Sequence, residues 1–159
     1  MTVKEAFEVS AGWVFMELSK KIGKKKYLEF LDECGYGNKL VSNDADFWTF
    51  GPLKISPKNQ IEFLIKIYEG KLPFSKKNLD ILKNVMIKEH NDNYILRAKT
   101  GWGRQNKIDI GWYVGYIEKE DNSYFFATRI TKDIKAKNRN FQKSRIDISN
   151  KVFKDMDIL

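Results

Sequence analysis

The sequence predicts an α+β domain with its helices gathered first and an antiparallel sheet after them, and three observations carry that prediction. Between Thr2 and Met86, apolar residues recur at helical spacing behind capping residues and ahead of stop glycines. From Tyr94 to Ile130 the pattern changes to β-branched and aromatic runs broken by polar turns. After Phe141 the helical spacing returns once. With 159 residues, 14% of them aromatic, the chain is long enough to bury a core as one domain, residues 1–159, and too rich in aromatics for disorder.

Taken in order, Thr2 is placed to cap a short helix from Lys4 to Val9, and a turn at Ser10-Ala11-Gly12 then presents Ser10. From Trp13, the set Val14, Phe15, Leu18 and Ile22 is spaced for one helical face, and Gly23 follows as a stop. A further helix runs through Tyr27, Leu28, Phe30 and Leu31 to Cys34. Tyr36-Gly37-Asn38 opens a long irregular stretch through Phe47, Trp48 and Gly51, and loops of this length usually have a function. Ser56-Pro57 starts the next helix, with serine as cap and proline at the first helical position, and Phe63, Leu64, Ile67 and Tyr68 form its buried stripe. Ser75 caps another, whose apolar positions are Leu79, Leu82, Val85 and Met86.

Tyr94 to Lys99, Asp109 to Glu118 and Tyr124 to Ile130 read as three strands, the last two made antiparallel neighbours by the polar turn Glu120-Asp121-Asn122-Ser123. Phe141 to Met156 reads as the final helix, with Ile148, Val152 and Met156 as its apolar face and Arg145 one turn earlier on a similar face. Lys99-Thr100-Gly101 therefore stands at a strand end. An ammonium, a hydroxyl and a bare backbone edge in line form a dock for an extended carboxylate ligand; the alternative is a solvated lysine before a turn glycine.

Composition excludes several chemistries. Cys34 is the single cysteine, so no internal disulfide forms, and a small buried apolar side chain is its reading. His90 is also single, which leaves no zinc or histidine-triad constellation. The charge of +8 comes from dispersed lysines with a cluster at Lys20, Lys21, Lys24, Lys25 and Lys26, a pattern of solvated helix faces, with nucleic-acid binding as a further reading. No apolar run spans a bilayer, and Met1-Thr2-Val3-Lys4-Glu5 lacks a signal-peptide core, so the chain as written is expected in the cytoplasm.

Four elements coincide in one order: Ser10-Ala11-Gly12 before a helix, Tyr36-Gly37-Asn38, the loop from Phe47-Trp48 to Ser56-Pro57, and Lys99-Thr100-Gly101-Trp102 leading into the strand Ile110 to Glu118. The set resembles the class D (oxacillinase-type) serine β-lactamases and the related sensor domains of β-lactam receptors. That resemblance implies a β-lactamase/transpeptidase-like fold: part of the helical subdomain, a C-terminal three-stranded antiparallel sheet and a terminal helix, with the N-terminal strands missing. It implies catalytic roles for Ser10 and Lys99, the serine hydroxyl relaying a proton to the leaving β-lactam nitrogen. Thr100, Gly101, Trp102 and Arg145 would bind substrate, Arg145 at its carboxylate and Trp102 through an oxyanion-hole N–H. Trp48 would position the family's lysine base. The structural alternatives are core aromatics at Trp48 and Trp102 and an exposed helix residue at Arg145.

One part of that pattern is missing. The family's nucleophile motif is Ser-x-x-Lys, yet the residues three positions after Ser10, Ser19, Ser42, Ser56, Ser75, Ser123, Ser144 and Ser149 are Trp13, Ile22, Ala45, Asn59, Asn78, Phe126, Asp147 and Val152. Loss of the nucleophile in a comparable serine hydrolase lowers turnover on the order of a millionfold, roughly 8 kcal/mol. Gly12 is a smaller departure, standing where the family usually has valine or asparagine. The expected cofactor set is empty, since the family's CO2-carboxylated lysine belongs to the missing motif. The expected partner is a β-lactam, without nucleic acid or a membrane span, and an open apolar strand edge together with an uncovered sheet face rich in Trp112, Tyr116 and Phe126 favours self-association. The readings rank as the C-terminal part of a class D β-lactamase of periplasmic or secreted type, then a β-lactam-sensing receptor domain, then a basic nucleic-acid-binding remnant.

Overall fold

The computed structural model describes residues 1–159. Helix α1 (Val3–Val9) starts at a reciprocal cap, in which the Thr2 hydroxyl accepts from Glu5 N–H at 3.2 Å and the Glu5 carboxylate accepts from Thr2 N–H at 2.8 Å. Helices α2 (Gly12–Ile22) and α3 (Lys24–Cys34) share Gly23 as stop and start. Ser56 and Ser75 cap α4 (Pro57–Glu69) and α5 (Lys76–Val85), each accepting from the N–H three residues on.

The sheet has the order β1 (Ile87–His90), β2 (Ile95–Gln105), β3 (Ile108–Glu118), β4 (Ser123–Asp133), all antiparallel. Strand β1 adds a fourth member to the three expected. It is exposed along its length and bulged between Ile87 and Glu89, and Ile87-Lys88-Glu89-His90 holds one apolar residue, so it carries no strand signature. Strands β2 and β3 run on past Gly101 to a two-residue turn in which Asn106 and Lys107 both take left-handed backbone, φ 50 and 62. The outer side of β4 is a free edge.

Alternation along β3 sorts the core into two layers, one on each face of the sheet. Tyr116 joins Cys34, Leu64, Ile67, Leu72, Leu79 and Met86 under α3, α4 and α5. Tyr113 and Ile117 join Leu96, Ala98, Phe153 and Ile158 under α6 (Phe141–Asp155). The buried row of α6 is Phe141, Arg145, Ser149 and Phe153, whereas Ile148, Val152 and Met156 are 47%, 45% and 63% exposed. A polar residue fits that row because the Ser149 hydroxyl is matched, bonding Thr128 Oγ1 at 2.6 Å and Arg145 O at 2.8 Å. Nor do Trp112, Tyr116 and Phe126 form one uncovered face: Tyr116 is buried on the helical side, and Phe126 packs edge-on against Phe153 on the other. Ile22, expected on the apolar face of α2, is exposed, as is Trp13 at its start.

Candidate active site

Ser10 reaches the sheet because α1 is short and ends in a left-handed cap. Its φ is 57, and its N–H closes onto the carbonyls of Ala6 and Phe7. From that corner the Ser10 hydroxyl accepts a hydrogen bond from Lys99 Nζ, which also donates to Thr100 O at 2.8 Å and lies 5.5 Å from the Phe7 ring centre. Burial lowers the proton affinity of Lys99 to about 8, helped by the fields of Lys88 and Arg145, and no carboxylate pairs with it. An ammonium so poised against a hydroxyl is able to pass a proton. A Cβ at Gly12 would meet nothing within 4 Å, so that departure leaves the Ser10 contact intact.

Beside this pair, Trp48, Lys99, Thr100, Gly101 and Trp102 line a cavity of about 630 Å³ between β2 and the 47–57 loop. The loop is held by Tyr36-Gly37-Asn38. Asn38 Nδ2 donates to Pro52 O at 2.9 Å, its Oδ1 accepts from Lys54 N–H at 2.9 Å, and its own N–H donates to Lys54 O at 2.9 Å. Gly37 has φ +57, and a Cβ there would stand 2.3 Å from Lys54 O, so glycine is required on both counts. From the sheet side, Arg104 N–H donates to Thr49 O at 3.2 Å and Gln105 Nε2 to Gly51 O at 3.0 Å. Trp102 is part-exposed, edge-on to Phe50 at 6.1 Å with the Arg104 guanidinium 5.2 Å from its ring centre.

Arg145 arrives from the opposite face. Its Nη1 donates to Gly101 O at 2.9 Å, its Nε is buried without a partner, and burial lowers its proton affinity. The bare Cα of Gly111 makes room for its stem: a Cβ there would lie 3.2 Å from Ile130 Cγ1, 3.4 Å from Phe141 Cε1 and 3.5 Å from Arg145 Cδ. Trp102 is thus not a core aromatic, and Arg145 is not an exposed helix residue. Trp48 sits half-buried in the cavity wall, edge-on to Phe47 at 5.0 Å. Ser10 and Arg145 lie outside that wall and converge on it through Lys99 and Gly101. Sequence reasoning missed the clamp at Asn38 and the ionic group that pins the hairpin. In that group Asp109 accepts from Arg104 Nε at 2.8 Å and stands 3.1 Å from Lys132 Nζ. Opposite charges facing across the Asn106-Lys107 turn were a legible signal for it.

A strand that presents Lys-Thr-Gly to a cavity, with a serine hydroxyl on the ammonium and a buried arginine behind the glycine, belongs to the penicillin-recognising serine acyl-transfer folds. The chain belongs to the penicillin binding protein transpeptidase domain family, which matches residues 1–156. It is 36% identical to β-lactamase OXA-10 of Pseudomonas aeruginosa over 86% of this chain and 53% of that one. A class D β-lactamase from Sebaldella termitidis superposes with a TM-score of 0.94 at 43% identity, covering all of this chain and 64% of its own. The C-terminal domain of the BlaR penicillin receptor of Bacillus licheniformis gives 0.90 at 30% identity, covering 100% and 63%. The likeness is to the C-terminal portion of the class D fold, and the chain spans about half the length of the curated relatives it matches.

Proposed function

We propose that these residues form the substrate-facing part of a class D β-lactamase site, binding the β-lactam carboxylate between Lys99, Thr100 and Arg145. The observation that carries this reading is the Lys99 ammonium, held between the Ser10 hydroxyl and a cavity rim that Arg145 reaches through Gly101. In a bound β-lactam the carboxylate supplies the missing counter-charge for Lys99 and Arg145, two cations that now repel each other. When a serine nucleophile outside these residues bonds to the ring carbonyl carbon and the C–N bond breaks, Ser10 gives its hydroxyl proton to the ring nitrogen and takes one from Lys99. Trp102 N–H donates to the carbonyl oxygen as it gains charge, and Trp48 borders the place of the lysine base.

Ser10 is occupied as an acceptor from Lys99, and none of the eight serines has a lysine three positions on. These 159 residues alone are therefore expected to bind penicillin reversibly and not to cleave it. Calorimetric titration of benzylpenicillin against the chain and Arg145→Ala tests the binding, with a loss of about tenfold or more expected for one charge-assisted hydrogen bond. Equal affinities would overturn the site assignment. Absorbance during incubation with a chromogenic cephalosporin, and intact mass after incubation with benzylpenicillin, test the chemistry; a penicillin adduct lost in Ser10→Ala would make Ser10 the nucleophile. A receptor domain that acylates without release is the second reading, supported by the full coverage of this chain by the BlaR domain.

A further inference from the structure

On the α6 side of the sheet, away from Ser10, a second cavity of about 600 Å³ opens between β1, β2 and α6. Its volume falls within the usual range for small-molecule sites. Part of its wall is apolar, from Leu96 and Ile146. In the remainder, Tyr113, Lys88, Asn150 and Lys154 carry hydrogen-bond donors with no partner in the protein, the last three open to solvent. Tyr113 is 4% exposed, and its hydroxyl makes no hydrogen bond to any protein atom. The Asn150 amide makes none either, and Lys88 and Lys154 on facing walls enter no ion pair. Glu89 is the one acidic side chain there, and it is engaged, accepting from Tyr94 Oη and from Asn91 Nδ2 at 3.4 Å; Leu159, the last residue of the sequence, also lines the cavity. Two free ammonium groups, a buried phenol O–H and an amide N–H₂ beside an apolar wall call for a group that only accepts, attached to an apolar body.

We propose that this cavity is a second ligand site, distinct from the Lys99 site, for a small carboxylate with an apolar or aromatic body. The carboxylate meets Lys88 and Lys154 and accepts from Tyr113 Oη and Asn150 Nδ2, while the body lies on Leu96 and Ile146. Of the residues around the first cavity only Thr100 is shared with this one, so the two are separable by substitution.

The test is titration of the isotope-labelled 159-residue chain with benzoate, followed by amide chemical shifts, with benzyl alcohol and inorganic phosphate as parallel probes. Saturable benzoate shifts centred on Tyr113, Asn150 and Lys154 are expected, stronger than those from either parallel probe. The double variant K88A/K154A, and separately Tyr113→Phe, which keeps the ring and the packing, should each weaken benzoate about tenfold or more. Shifts centred on Lys99 and Trp102, no saturable binding, benzyl alcohol or phosphate binding equally well, or affinities unchanged in the well-folded variants would each overturn the proposal.

Discussion

Ser10 holds its hydroxyl against Lys99 from a left-handed backbone, a conformation that costs a residue with a Cβ roughly 1–2 kcal/mol and glycine almost nothing. Both Ser10→Gly and Ser10→Ala remove the hydroxyl, but only the first relieves the backbone. Denaturant unfolding should therefore place Ser10→Gly about 1 kcal/mol above Ser10→Ala, and a reversed order would show that the left-handed backbone is not what costs stability at this corner. Lys99 gives a second residue-level prediction. With a proton affinity near 8 in place of the ordinary 10.5, it is half neutral at pH 8, where an ordinary lysine is neutral about one part in three hundred. Acetic anhydride at pH 8 should acetylate Lys99 ahead of the exposed lysines, as peptide mass spectrometry would read; slower labelling than Lys25 would contradict it. The sign for stability follows: between pH 8 and 10.5 the unfolded chain holds this proton and the folded one does not, so stability rises with pH in that window relative to Lys99→Met. Short motifs drew attention to Ser10, Lys99 and Asn38, whereas Phe7, which lies beside the Lys99 ammonium, belongs to no motif and is placed by packing alone.

At the scale of elements, caps and stop glycines marked five helices within a residue or two, because Thr2, Ser56, Ser75, Gly23 and Gly35 act locally. What periodicity misplaced was the face of α6. Its strongest apolar repeat, Ile148-Val152-Met156, points outward, and the inward row contains an arginine and a serine that only the sheet opposite makes tolerable. That packing depends on β3 being bare at Gly111. Gly111→Val would drive side-chain carbons into Ile130, Phe141 and the Arg145 stem, an overpacking worth about 1–3 kcal/mol. Arg145 should lose its bond to Gly101 O as it is displaced. Thermal unfolding should report the destabilisation, and penicillin binding should fall beyond what the lower stability explains; a variant as stable and as competent as the parent would show that α6 shifts freely over the sheet.

The whole molecule exposes more surface than its mass warrants. A compact monomer of 18.7 kDa presents about 8,300 Å², whereas this chain presents 10210 Å², an excess of about 1,900 Å², more than twice the ~800 Å² that one partner buries in a standard protein–protein interface. The excess has identifiable sources. The apolar core is divided between the two faces of the sheet, α2 buries no apolar side chain, and Trp13, Ile22, Ile148, Val152 and Met156 stand out in solvent. Along β4 a free edge of eleven residues offers unpaired backbone groups to a further strand. The open edge was expected from the sequence; the single uncovered face was not found, because alternation puts Trp112 and Tyr116 on one face and Phe126 on the other. Such a surface should draw chains together. Sedimentation velocity across the micromolar range should show concentration-dependent association, reduced by V152K/M156K, which adds charge to the exposed row of α6 without touching its buried one. A species that stays monomeric at every concentration and unfolds cooperatively at high temperature would show instead that two half-cores and an open edge are sufficient for an independent domain.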